Sequence, residues 1–330
     1  MNLRGIDFRP AWNASGARNF FGEGWPYHLP MRPFGLRFDG STFVAKTTTV
    51  EPRAGNMPLK GTTPREWKPR CIAVNLREAA VLNAVGLSGP GLEALLADGR
   101  WQARTDPFFL SFMAVDADPA DRLAKAGVFA RAIASARAGF RAPFGIEMNF
   151  SCPNVGVDPS SLIDEAKGTL SAVARHLPGV PLVPKFNAMV PVEAAREIAS
   201  HEDCAAVCVS NTIPWGKMAD QIDWKRLFGD ASPLAEFGGG GLSGAPIFPL
   251  VARWIREAGG RAFPVPIVAG GGITGRDAAI SLLEDGASAI EVGSAAIVRP
   301  WRVAGIIAAA NAAGQKIGAH RAQEQVISCG

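Results

Sequence analysis

Cysteine is sparse in this chain and not arranged for pairing: the 330 residues contain five, an odd number without zinc-like spacing. That excludes a disulfide framework as the organising device and fits a reducing compartment. Cys204 and Cys208 share one apolar run that reads as a buried strand, so no metal site is expected there. Long apolar runs are missing as well. The longest, Val303 to Ala313, falls short of the roughly 20 residues that span a bilayer, and the opening MNLRGIDFRPAW has neither an apolar signal core nor a small-residue cleavage site. No membrane helix is expected, and the expected location is the cytoplasm. Neither sign of charge dominates: 34 basic and 30 acidic residues leave a net +4 with no long basic block. Nucleic acid is therefore not an expected partner.

What is present is a chain of 48% hydrophobic residues with 37 glycines, long enough for one large α/β domain. Short apolar, β-branched runs recur: TFVAKTT from Thr42, CIAVN from Cys71, FFLSFMAV from Phe108, GIEMNFS from Gly145, PLVPKF from Pro181, AAVCVSN from Ala205, PIVAGG from Pro266 and AIEVGSA from Ala289. Helical patterns separate most of them, including DRLAKAGVFARAIASARA from Asp121 and GRDAAISLLEDG from Gly275. Eight strands alternating with helices, apolar on both faces, predict a parallel sheet closed into a (β/α)8 (TIM) barrel, one domain over 1–330. The first 41 residues carry turn signals and are expected to close the barrel bottom or add a small cap. The segment 212–244, with GGGG at Gly238 to Gly241, reads as a lid over the active-site face or as a flexible loop.

Active sites of such barrels sit at the C-terminal ends of the strands. The runs end in Lys46, Ser111, Asn149 through Asn154, Lys185 and Asn211, and the last two end in glycines. AGGGI at Ala269 to Ile273 and EVGSA at Glu291 to Ala295 are placed where backbone N–H groups hold phosphate, because a Cβ would keep the phosphate away; ordinary tight turns would read the same. GGLSG at Gly240 to Gly244 adds a third glycine loop on that side. In MNFSCPNV, Cys152 lies between Asn149 and Asn154, amides that take no proton themselves. That suits a general base facing a planar, amide-rich substrate, although most isolated cysteines are inert core residues.

Nine ordered stretches give the chain its resemblance to the dihydroorotate dehydrogenase family: ASG (Ala14 to Gly16), AKTTTVEPRAGN (Ala45 to Asn56), NAVGLSGPG (Asn83 to Gly91), NFSCPN (Asn149 to Asn154), VPKF with Lys185, VSNT (Val209 to Thr212), GGLSG, GGGI (Gly270 to Ile273) and VGS (Val292 to Ser294). The resemblance implies oxidation of dihydroorotate to orotate in pyrimidine biosynthesis, with Cys152 as base and hydride passing to FMN. It implies that Asn83, Asn149, Asn154, Asn211 and Thr212 read the pyrimidine, while Lys46 and the backbone of Val85, Gly86 and Leu87 meet the substrate carboxylate. Ala14, Ser15, Gly16, Lys46, Thr47 and Asn149 would line the flavin ring with Lys185 at its N1 and O2 edge, and Gly244, Gly271, Gly272, Gly293 and Ser294 would bind the phosphate end.

A cysteine base resembles the soluble class, as does the lack of an N-terminal helical extension. One soluble subclass is a homodimer that passes electrons to fumarate, and the other reaches NAD through a separate electron-transfer subunit. The loop GVDPSSLIDE after Val155 matches neither subclass well, and the stretch from Phe20 to Phe38 is longer and more aromatic than usual. The divergent loop keeps open a paralogous FMN oxidoreductase acting on another cyclic amide; a phosphate-binding barrel without redox chemistry would explain the glycines but not Lys185, Cys152 and the four asparagines.

Overall fold

Eight short strands, mostly Val, Ile, Phe and Ala, form one parallel sheet: β1 Ala11–Asn13, β2 Phe43–Val44, β3 Phe108–Phe112, β4 Phe144–Asn149, β5 Leu182–Asn187, β6 Val207–Asn211, β7 Ile267–Gly270 and β8 Ala289–Val292. The structure is a computed structural model, and it describes residues 1–150, 159–260 and 263–328. From β2 to β8 each strand pairs with the next in chain order, β8 pairs with β1, and β1 meets the chain entering β2 through a single parallel bridge, Trp12 to Thr42. The ring closes where Thr42 N donates to Ala11 O at 2.8 Å and Asn13 N to Thr42 O at 3.1 Å. The expected (β/α)8 barrel is the observed fold.

One strand assignment needs correcting. The run CIAVN supplies no barrel strand; Ile72–Asn75 instead forms a hairpin with Ala80–Asn83. The missing barrel strand is Ala11–Asn13, within the N-terminal 41 residues. Three residues are too few to show a period, whereas the longer hairpin strand reads like a barrel strand. From the start of that segment, Leu3 and Phe8 are buried in one cluster with Trp12, Val44, Phe109, Val183 and Val268. Gly145 makes room for this layer, since a Cβ there would lie 2.2 Å from the Phe109 ring.

Helices cover the outside. Pro119–Ala136 starts with Asp118 accepting from Ala120 N at 2.7 Å and Pro119 in the first turn, a combination that satisfies one orphan N–H and removes another. Its buried Ala126, Phe129 and Ile133 join the outer core with Phe112, Ile146 and Leu170. Among the described residues no helix is long and apolar enough to cross a membrane.

Over the C-terminal mouth lies a four-stranded antiparallel sheet in the order Ile213–Pro214, Gly241–Gly244, Ala80–Asn83, Ile72–Asn75. The segment 212–244, expected as a lid or loop, supplies two of these strands and the helix Trp224–Phe228. Its Ile213, Ile222, Trp224, Leu227, Leu234 and Leu242 share a core with Ala80 and Leu82, so the segment forms a packed cap.

Candidate active site

Between cap and barrel mouth lies a cavity of about 610 Å³, within the size range of small-molecule and cofactor sites. Alternation along β4 points Glu147 and Asn149 to the same side. Register sets Ser111 of β3 opposite Glu147, Lys185 of β5 opposite Asn149, and Cys208 of β6 opposite Lys185. Polar ends of separate strands thus meet inside one ring.

Asn149 donates from Nδ2 to Ser111 Oγ at 2.8 Å and to Thr47 Oγ1 at 3.3 Å, and its Oδ1 accepts from Asn211 Nδ2 at 3.2 Å. Asn211 Oδ1 in turn accepts from Thr212 N at 2.9 Å. Thr47 Oγ1 also donates to Ser15 Oγ at 3.3 Å. Asn83 reaches in from the cap, donating to Gly241 O at 3.4 Å. Lys46 Nζ donates to Ser88 O at 2.5 Å and lies 4.7 Å from the centre of the Phe20 ring. Burial pushes the Lys46 ammonium down to about 8, so an anion beside it would recover part of that desolvation. The neighbouring Leu87 has φ +58°, an uncommon backbone for a branched residue, and it follows Gly86 at φ +69°. Ser88 Oγ fixes this turn by accepting from Met57 N at 3.0 Å and donating to Val85 O at 3.1 Å.

On the barrel floor Lys185 is 4% exposed and sits between two carboxylates. Its Nζ lies 2.6 Å from Glu291 Oε2 and 3.1 Å from Glu147 Oε2. Burial alone pulls Lys185 down, but the two acids hold it above its ordinary range. Glu147 feels burial first, yet the Lys185 charge and hydrogen bonds, including one from Ser111, leave it below the carboxylate range. Glu291, pushed by burial and by Glu147, rises to about 8. Oxygen and sulfur atoms of Glu147, Glu291 and Cys208 lie within 4.8 Å of one another, a spacing that could hold a metal ion; here an ammonium stands between the two carboxylates.

Of the residues singled out from sequence, Ala14, Ser15, Gly16, Lys46, Thr47, Asn83, Val85, Gly86, Leu87, Asn149, Lys185, Asn211, Thr212, Gly271, Gly293 and Ser294 line this one cavity. Cys152 and Asn154 lie outside the described residues. Gly244 and Gly272 stand behind the lining, and packing within the protein explains why they are glycine. A Cβ would sit 2.1 Å from Ala79 O at Gly244 and 2.7 Å from Phe248 N at Gly272. The N–H groups of the lining residues Gly271, Gly293 and Ser294 have no backbone acceptor among the described residues, which leaves them available to a ligand.

Several lining residues had no sequence signal. Trp25 and Tyr27 come from the long aromatic N-terminal stretch, and Trp25 Nε1 holds Gly16 by donating to its carbonyl at 3.0 Å. Arg53 adds a cation, and Glu291 an acid inside an otherwise apolar strand. Two buried polar atoms of the lining residues, Tyr27 Oη and Glu291 Oε1, have no hydrogen-bond partner among the described residues.

Residues 35–310 match the family model described as dihydroorotate dehydrogenase. The chain is 31% identical over 322 residues to the catalytic subunit of dihydroorotate dehydrogenase B (NAD(+)) of Streptococcus pneumoniae, covering 93% of this chain and 89% of that protein. It is 30% identical over 330 residues to dihydroorotate dehydrogenase A (fumarate) of Lactiplantibacillus plantarum, covering 96% and 94%. Among solved structures, a dihydroorotate dehydrogenase of Eimeria tenella in complex with ferulenol superposes with a TM-score of 0.63 at 18% identity, over 93% of this chain and 81% of that one, a likeness of fold.

Proposed function

Because this chain belongs to the dihydroorotate dehydrogenase family, we propose that its cavity oxidises dihydroorotate to orotate, the redox step of pyrimidine biosynthesis, with FMN as cofactor. The observation that supports this most is the convergence of Lys46, Asn83, Asn149, Lys185 and Asn211, from five separate segments, on one cavity. The residues present fit FMN. The N–H groups of Gly271, Gly293 and Ser294 suit a phosphate, and Glu291 Oε1, buried without a partner among the described residues, suits a ligand polar group.

In this reading Cys152 takes the proton from C5 of dihydroorotate. FMN, when bound, supplies the acceptor for the hydride that leaves C6. Lys185 carries a fixed positive charge against the negative charge that develops, and in a site shielded from water that charge counts for more than it would in bulk solvent. Asn83, Asn149, Asn154 and Asn211 each offer a donor and an acceptor, matching the alternating N–H and C=O groups of a pyrimidine ring. Lys46 faces the substrate carboxylate. The reading extends to a cytoplasmic homodimer whose electrons pass to fumarate or, through a separate electron-transfer subunit, to NAD; the names of the two bacterial relatives divide between these acceptors.

Orotate binding tests the assignment of the amides. Truncating any one of Asn83, Asn149, Asn154 or Asn211 to alanine leaves a ligand polar group unpaired, at about 1–3 kcal/mol, so orotate affinity should fall about 5–150-fold per variant. Titration of orotate into the FMN-loaded protein, followed by the flavin absorbance, reads this. Normal affinity in two or more of the four variants would mean that the pyrimidine is not read by these residues.

A further inference from the structure

The Lys185 cluster contains one acid more than its charge requires. Glu147 is fully provided for: its Oε1 accepts from Ser111 Oγ at 2.8 Å and its Oε2 from Lys185 Nζ at 3.1 Å. Glu291, 2% exposed, has Oε2 on the same ammonium at 2.6 Å, while its Oε1 is buried without a partner among the described residues although the residue lines the cavity. Were both acids ionised, the cluster would hold a net negative charge in a buried site, a cost that favours a proton on one of them near neutral pH.

Among the described residues, the groups facing Glu291 are few. Glu147 comes from β4, Lys185 from β5 and the Cys208 thiol from β6, the last held protonated by its burial. β7 contributes the backbone of Gly270, where a Cβ would meet Glu291 Oε2 at 3.4 Å, and β1 sets the uncharged Trp12 opposite Glu291. Of the two carboxylates, Glu147 has the hydrogen-bond donors and Glu291 has an oxygen to spare, so Glu291 is the one that keeps a proton.

We propose that Glu291 is the proton-carrying member of the cluster, a positioning residue whose protonation is coupled to reduction of FMN. The inference rests on the FMN reading above and adds to it a proton site on the floor of the cavity. With Glu291 neutral, the cluster of Lys185, Glu147 and Glu291 sums to zero; with Glu291 ionised it sums to minus one. Negative charge arriving in the cavity therefore raises the affinity of Glu291 for its proton. Where Glu291 is ionised before reduction, two electrons enter the cofactor, one proton from solvent binds a Glu291 carboxylate oxygen, and no other bond in the cluster changes. The burial that lifts Glu291 to about 8 puts that regime above roughly pH 8. Below it the acid is already protonated and takes up nothing.

Two measurements test this, one of them without cofactor. In the apoprotein, infrared difference spectra across pH should show a protonated carboxylic acid C=O band that disappears above about pH 8 and is absent in Glu291→Gln. In the FMN-loaded protein, the midpoint potential should depend more steeply on pH between roughly pH 8 and pH 10, by one further proton per two electrons, in wild type than in Glu291→Gln. The glutamine keeps shape and burial but cannot titrate. Equal slopes in the two proteins, or wild type with no steepening in that window, overturn the coupling even if Glu291→Gln proves poorly folded, because the wild-type profile stands alone. An absent acid band overturns the protonation of Glu291 itself. A protein that takes up no FMN sinks the cofactor reading and, with it, the coupling.

Discussion

Cys152→Ala is expected to slow reduction of the bound FMN by dihydroorotate about 10²–10⁴-fold, the usual contribution of a positioned base. FMN and orotate should still bind, because their binding is assigned to other residues. A free thiol titrates near pH 8.5, so only a few per cent is thiolate at neutral pH. The wild-type rate should accordingly climb with pH toward the thiol pKa and level off beyond it. Cys152→Ser should be slower than wild type and need higher pH, the hydroxyl being far less acidic. Anaerobic stopped-flow mixing of all three proteins across pH reads both effects. A wild-type rate and pH profile in Cys152→Ala would remove this residue from the chemistry.

The second large effect is on stability. Lys185→Met takes the ammonium from between two carboxylates that are 0% and 1% exposed. Removing one partner of a buried ion pair costs about 3–5 kcal/mol, mostly because the remaining charge is left unpaired in a low-dielectric site. The loss should grow with pH, since both acids can escape by taking up protons in acid but not in alkali. Adding Glu147→Gln and Glu291→Gln to Lys185→Met should recover most of the stability, because uncharged groups of similar shape need no counter-ion. Urea unfolding midpoints of the wild-type, single-variant and triple-variant proteins measure this. A loss under about 1 kcal/mol in Lys185→Met would mean that the cluster is not the dry ion pair described here.

How much of this was legible in the sequence can be judged residue by residue. Lys185, Asn149 and Asn211 were readable because each ends an apolar β-branched run, and in a parallel barrel that position faces the mouth. Barrel closure was not fully readable. β1 has three residues, too short for periodicity, so the four-residue hairpin strand Ile72–Asn75 stands in the place of Ala11–Asn13 in the count. Glycine loops were found, but not why each is glycine. Gly271 and Gly293 line the cavity, whereas Gly244 and Gly272 are fixed by backbone approaching from Ala79 and Phe248, distances that no local pattern carries.

Glu147 and Glu291 carry no local signal, because a lone acid in a strand ordinarily faces solvent. A buried charge needs a partner, so two acids in apolar strands of a barrel whose fifth strand carries Lys185 were a signal that pairing logic could have found. The aromatic wall of Trp25 and Tyr27 comes from the stretch that departs from the family pattern, and only tertiary structure brings it over Gly16.

The central claim is that this cavity removes two electrons from dihydroorotate, and the most direct measurement is the visible spectrum of the FMN-loaded protein before and after dihydroorotate is added without oxygen. The account predicts loss of the oxidised-flavin absorbance with one orotate formed per flavin. An unchanged spectrum, from protein that is folded, yellow and reducible by dithionite, would contradict it.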